Sequence, residues 1–134
     1  MSWSNAFIGI PWVRLGRARA GIDCWGVVVM TYRDVLGIEL PDYLDVPVET
    51  AEMARQVDAI AAGDPWHAVA EPREFDVAVF RMGAILRHVG VVAGPGLMLH
   101  VTEGGTSCIA SIDAPRWRPR LIGYCRHETL MGAR

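Results

Sequence analysis

The pattern of apolar and polar positions changes period along the chain. From Asp23 to Gly37 the residues Trp25, Val28, Val29, Tyr32 and Leu36 recur at helical spacing, which predicts a helix. Asp23 can cap its first turn, and Gly37 can take the left-handed conformation that ends it. Further apolar positions around that stripe predict burial on most sides, against the weak helix propensity of Gly26 and the valine run. Beyond Pro41 and Pro47, Thr50 to Ala62 repeats the spacing at Met53, Val57 and Ile60 and stops at Gly63-Asp64-Pro65, a second helix at the surface. From Phe75 onwards the period is two. Asp76 to Arg81, Arg87 to Ala93, Leu97 to Val101, Ser107 to Ile112 and Leu121 to Arg126 read as strands separated by Gly, Pro or Asp. Helices first and strands after predict the α+β class, with N-terminal helices packed on an antiparallel sheet of about five strands.

At 134 residues, 51% hydrophobic and 21% charged, the chain is expected to form one domain over residues 1–134 with a core that needs neither metal nor disulfides. Formal net charge is −2, and all 13 basic residues are arginines. Arg116, Arg118, Arg120 and Arg126 crowd the C-terminal stretch, but the overall balance argues against a nucleic-acid partner. The longest uncharged stretch, between Arg87 and Glu103, is broken by two histidines and Gly94-Pro95-Gly96, so no membrane span is expected. Arg14, Arg17 and Arg19 follow the first apolar residues rather than precede them, which reverses the order of a secretory signal and leads to the expectation of cytoplasmic synthesis. Cys24, Cys108 and Cys125 cannot all pair within the chain and fit no zinc-ligand spacing. They read as thiols, with Cys108 and Cys125 packed between strands.

Cys24 stands at the first position of the predicted helix, where backbone N–H groups and the helix dipole favour an anion and lower a thiol's pKa. A thiolate there is a competent nucleophile, although a cysteine at a single such position is commonly inert packing. His88 and His100 fall on two strands joined through Gly94-Pro95-Gly96, and the hairpin register decides whether they share a face. With an odd loop length His100 lies opposite Gly90 and diagonal to His88, within reach of it, and Gly90 leaves space beside both rings. With a two-residue loop the two histidines point to opposite sides. The odd register gives a nucleophile, a base and an orienting group. The backbone N–H of Cys24 is then the expected oxyanion donor. Asp23 reads as a cap rather than an acid. His67 and His127 read as surface or loop residues without partners.

Three segments in order resemble the NlpC-type cell-wall cysteine peptidases, small papain-like enzymes. They are Gly21-Ile22-Asp23-Cys24-Trp25-Gly26-Val27 with Gly37-Ile38-Glu39-Leu40-Pro41, then Arg87-His88-Val89-Gly90-Val91-Val92, then Gly96-Leu97-Met98-Leu99-His100-Val101. The resemblance runs from about Ile8 to Val101 and implies Cys24, His88 and His100 as nucleophile, base and orienter. It places Trp12, Asp23 and Trp25 around the substrate and oxyanion, and it implies no metal or organic cofactor. Trp12 stands where the family usually carries tyrosine; its indole can donate but not accept a hydrogen bond. Trp25 replaces the common serine in a form similar to phage-tail members, and Glu74-Phe75-Asp76 replaces the usual Pro-Gly-Asp, so that turn is expected to differ.

The resemblance implies an endopeptidase on peptidoglycan stem peptides, cutting typically between D-glutamate and a diamino acid. A phage-like tail or gene-transfer particle would carry a protein made in the cytoplasm to the cell wall, docked to another tail protein through the Arg116 to Arg126 region. Two alternatives remain at this level: a tail-assembly module with little activity, and an amidase or acyltransferase on the same scaffold.

Overall fold

The computed structural model describes residues 2–41, 65–83 and 86–131. Two short strands, β1 (Arg17–Ala18) and β2 (Gly21–Ile22), form an antiparallel ribbon that leads into the helix α1 (Cys24–Thr31). The remaining strands are β3 (Trp66–Val69), β4 (Val77–Met82), β5 (Leu86–Gly94), β6 (Leu97–His100), β7 (Cys108–Ser111) and β8 (Leu121–His127). They build one sheet of six strands in the order β3-β8-β4-β5-β6-β7, every neighbouring pair antiparallel. The five strands read from the sequence are all present. The sixth, β3, carries only four residues with one half-buried histidine among them, too weak a period to read, and pairs with β8 some sixty positions away.

Asp23 caps α1 by accepting the Gly26 amide at 2.8 Å. The α-helix runs to Thr31 and continues as one π turn, Tyr32–Leu36, closed by Gly37 at φ +69°. Every residue from Trp25 to Thr31 is buried, as the apolar surround of the stripe predicts. Thr50 to Ala62, read as a second helix, lies outside the described residues.

Both faces of the sheet are covered, which explains the unbroken burial of Val77 to Phe80. Val77, Val79, Val89, Val91, Leu99 and Val101 meet α1 on one face. Ala78, Phe80, Val92 and Met98 meet Ile112 and Trp117 on the other. The N-terminal segment is stitched to the stretch after β6: the Gly9 amide donates to the Ser107 carbonyl at 2.9 Å, Ser107 N–H to Ile10 at 2.8 Å, and Trp12 N–H to Gly105 at 2.9 Å. The buried Ser107 hydroxyl accepts from the Ile10 amide at 2.9 Å and donates to the Phe7 carbonyl.

In the turn before β4, Phe75 adopts φ +78°, a left-handed backbone that a large side chain seldom takes. Tertiary contacts hold it there: its ring stacks on Trp3 with centroids 4.7 Å apart, its amide donates to Val92 at 2.8 Å, and its carbonyl accepts the Tyr32 hydroxyl.

Candidate active site

The two histidines come together through a bulge. Val91 pairs with Leu99 and Val92 with Met98, but the next pair is Gly94 with Leu97, so one extra residue, Ala93, sits in β5. The connecting turn is only Pro95-Gly96, yet the bulge restores the odd register that puts His88 and His100 on one face. His88 Nε2 lies 2.9 Å from His100 Nδ1, and both rings are buried. Gly90 does not leave open space beside them. A Cβ on Gly90 would stand 2.8 Å from the Met98 sulfur, so the glycine admits Met98 rather than a substrate.

The histidines project from the sheet face opposite α1. Cys24 still shares a cleft with His88 because it opens α1 at the strand ends, where β5 begins and β6 stops. Its thiol takes hydrogen bonds from the backbone of Val89, the residue after His88, and of Trp25. The cleft encloses about 390 Å³ and is walled by Trp12, Asp23, Cys24 and His88 together with Met82, Arg87, Val101, Thr102, Glu103 and Arg116. His100 is not on that wall but behind His88, where an orienting group belongs. Gly26 permits the approach of the N-terminal loop, since a Cβ there would collide with the Gly16 carbonyl.

Asp23 reaches the wall with its oxygens already engaged. Oδ1 accepts from Gly26 and from Arg17 Nη1 at 2.6 Å, and Oδ2 accepts from the Leu15 amide at 3.0 Å. Cap and ion-pair partner are therefore its roles. Trp25 does not face the cleft. It is buried in the core, and its indole N–H donates to the Pro41 carbonyl at 2.8 Å, so its assignment to the substrate or oxyanion is corrected. Trp12 is half-buried on the cleft wall.

The electrostatics reverse one expectation. Burial, and then the Asp23 charge, push the Cys24 thiol up to about 11, outweighing the Val89 and Trp25 hydrogen bonds and the Arg17 charge. His88 is lowered to about 3 by burial, His100 and Arg116, and His100 to about 4 by burial and Arg116. Both directions favour a neutral thiol and a neutral imidazole at rest over a preformed thiolate. Alkylation of Cys24 by iodoacetamide should be slow at pH 7 and should climb with pH beyond 9 without levelling. A plateau below pH 8 in a mass-spectrometric rate profile would show a depressed thiol instead.

Trp117 escaped the sequence reading. Buried after β7, it stacks on His88 with centroids 4.8 Å apart and 20° between planes, and meets His100 edge-on at 5.1 Å. It comes from a stretch with no strand period, so no spacing announced it.

Two further expectations are corrected. Cys108 is exposed, because β7 is an edge strand, whereas Cys125 is buried as expected. His67 is half-buried on the edge strand β3, in keeping with a surface position. His127 is buried against Trp66 at 5.0 Å, and its Nδ1 is 2.9 Å from the Thr129 hydroxyl.

With this geometry in place, sequence comparison is decisive: the profile of the NlpC/P60 family matches residues 9–126. The chain belongs to the NlpC/P60 family. Among NlpC/P60 relatives it is similar to the murein DD-endopeptidase and LD-carboxypeptidase MepS of Escherichia coli, 31% identical over 105 residues, or 78% of this chain and 49% of that protein. It is also similar to a probable endopeptidase NlpC homolog of Haemophilus influenzae, 27% identical over 113 residues, covering 84% of this chain and 53% of the other. The chain therefore spans about half the length of these relatives. The NlpC/p60 domain of the peptidoglycan hydrolase SagA superposes with a TM-score of 0.60 at 21% identity, covering 91% of this chain and 90% of that domain. An NLP/P60 family protein of Staphylococcus aureus gives 0.66 at 21% identity, over 92% of this chain and 38% of the other. Both structures share the α+β papain-like fold of NlpC/P60 proteins.

Proposed function

We propose that this chain is a cysteine endopeptidase acting on peptidoglycan stem peptides, with Cys24 as nucleophile, His88 as base and His100 as the group that orients His88. One observation carries the reading: Cys24 and His88 wall a single cleft, with His100 2.9 Å behind His88.

Starting from the neutral pair, His88 must offer an unprotonated Nδ1 to the thiol. The 2.9 Å contact then runs from His88 Nε2–H to His100 Nδ1, and His100 fixes this tautomer. As Sγ attacks the peptide carbonyl, the thiol proton passes to His88 Nδ1. The tetrahedral oxyanion is held by the Cys24 backbone N–H, with the Trp12 indole N–H assisting. Collapse breaks the C–N bond, and His88 returns the proton to the leaving amine, which leaves a thioester on Cys24. A water then gives a proton to His88 and attacks the thioester. The carboxylic product departs, and the proton returns to the sulfur. Proton transfer concerted with attack is what a thiol raised by burial requires.

The resemblance supports the D-glutamyl to diamino acid bond as the one cleaved. Asp23-Cys24-Trp25-Gly26 supports a setting in a phage-tail or gene-transfer particle that acts at the cell wall. A docking face there cannot use the whole arginine segment, because Arg126 is buried against Asp76. The shared cleft and the histidine pair favour the enzyme over the second reading, a tail module with little turnover.

Mass spectrometry of peptidoglycan fragments incubated with the wild-type protein and with Cys24→Ala tests the proposal. New stem-peptide products absent with the variant support it and identify the bond; identical fragments in both samples reject it. Trp117→Phe, which keeps a smaller aromatic face against His88, is expected to lower kcat about three- to tenfold with KM unchanged, in line with roughly 1 kcal/mol from ring contacts. Steady-state kinetics that moved KM alone would exclude a positioning role for Trp117.

A further inference from the structure

The four C-terminal arginines have different fates. Arg126 is paired with buried Asp76 through Nε and Nη2, each at 2.8 Å. Arg118 is paired with Asp113, and Arg120 donates to the Arg116 carbonyl. Arg116 alone of the four stands on the cleft wall. Its guanidinium lies over the Trp117 ring, 4.8 Å from the centroid, and among the described residues no carboxylate or carbonyl accepts its N–H groups. The backbone beneath it is fixed, since Trp117 and Arg118 both donate to the Ala114 carbonyl, at 2.9 and 3.0 Å. A planar cation with open donors is thus held beside the ring that stacks on His88.

We propose that Arg116 is a carboxylate-binding subsite, holding an anionic group of the substrate next to the bond presented to Cys24. The inference rests on the peptidoglycan-peptide reading and goes further than it. A γ-linked glutamyl residue leaves its α-carboxylate free beside the bond to the next residue, and a fork of guanidinium N–H groups matches a carboxylate in shape and charge. Asp23, the acidic residue nearest Cys24 in the chain, is already engaged by Arg17, Gly26 and Leu15, which leaves Arg116 with open donors on the wall.

The placement also bears on the chemistry. A lone cation beside His88 and His100 opposes the imidazolium that forms as Sγ attacks. A carboxylate bound to Arg116 offsets that charge, so the correct substrate eases the proton transfer it needs. A substrate amidated at this group gains neither the contact nor the relief.

The test uses the tripeptide L-Ala-γ-D-Glu-L-Lys with its glutamyl α-carboxylate free or amidated. Calorimetric titration into the full chain carrying Cys24→Ala should show the free acid binding about tenfold tighter than the amide, a factor worth about 1.4 kcal/mol. Adding Arg116→Gln should bring the acid down to the affinity of the amide and leave the amide unchanged, while Arg116→Lys should keep part of the difference. Equal binding of both peptides before Arg116 is changed, binding of neither, or a preference that survives Arg116→Gln each overturns the subsite. Turnover is followed separately with the wild-type chain. Acid-selective binding without cleavage leaves the subsite standing and removes the hydrolase reading, whereas cleavage of both forms at equal rates removes the subsite alone.

Discussion

Cys24→Ala is expected to lower stem-peptide turnover by roughly four to six orders of magnitude, the range seen when a nucleophile acting as one unit with its base is removed. The size follows from the site. In the proposed mechanism the thiol forms the covalent bond, and no other cysteine is near, since Cys108 lies exposed on an edge strand and Cys125 is buried beside Asp76. His88→Ala should cost a similar factor, and the double variant should be little worse than either, because sulfur and imidazole act in one proton transfer. Cys24 sits half-buried at the helix start, so melting should move little. Residual turnover within tenfold of wild type, from a folded Cys24→Ala protein in a steady-state assay, would remove the covalent mechanism.

Asp76→Ala is expected to destabilise the fold by about 3–5 kcal/mol, the cost of leaving a buried charge without its partner. Asp76 is fully buried, accepts both guanidinium bonds of Arg126, and also accepts the Arg73 amide at 2.7 Å. It therefore ties the turn before β4 to β8. Removing the carboxylate strands the Arg126 cation between two strands. Asp76→Ala combined with Arg126→Met should recover most of the loss, because the desolvated charge is then gone. Urea denaturation of the three proteins measures both effects. A single variant within 1 kcal/mol of wild type would mean that Arg126 finds another partner or reaches water.

The Asp76 and Arg126 pair also shows where sequence reading stops. Fifty residues separate the partners, and neither local period nor spacing joins them. The helix start was legible because Asp23 and Gly37 act within a few residues of themselves, and the strands from β4 to β8 because alternation is local. The two histidines were legible only as alternatives, since a hairpin's register follows from its turn, and the bulge at Ala93 decided it. The thiol was misread because a helix start is a local feature, whereas the burial and the Asp23 charge that raise the pKa are tertiary. Trp117 and His127 were missed for the same reason: what gives each its role is a ring from a distant segment.

The bulge has a consequence for how such a sequence can change. Loss or gain of a single codon between Val92 and Leu97 would leave both strands their full hydrogen-bonding potential, and the shortened or lengthened hairpin could still close. It would turn every side chain of β6 over, sending His100 into the core beneath α1 and Leu99 towards Trp117. The length of this hairpin is therefore inherited in steps of two. A relative with an odd difference there must recover the parity with a second bulge, or it has given up the histidine pair.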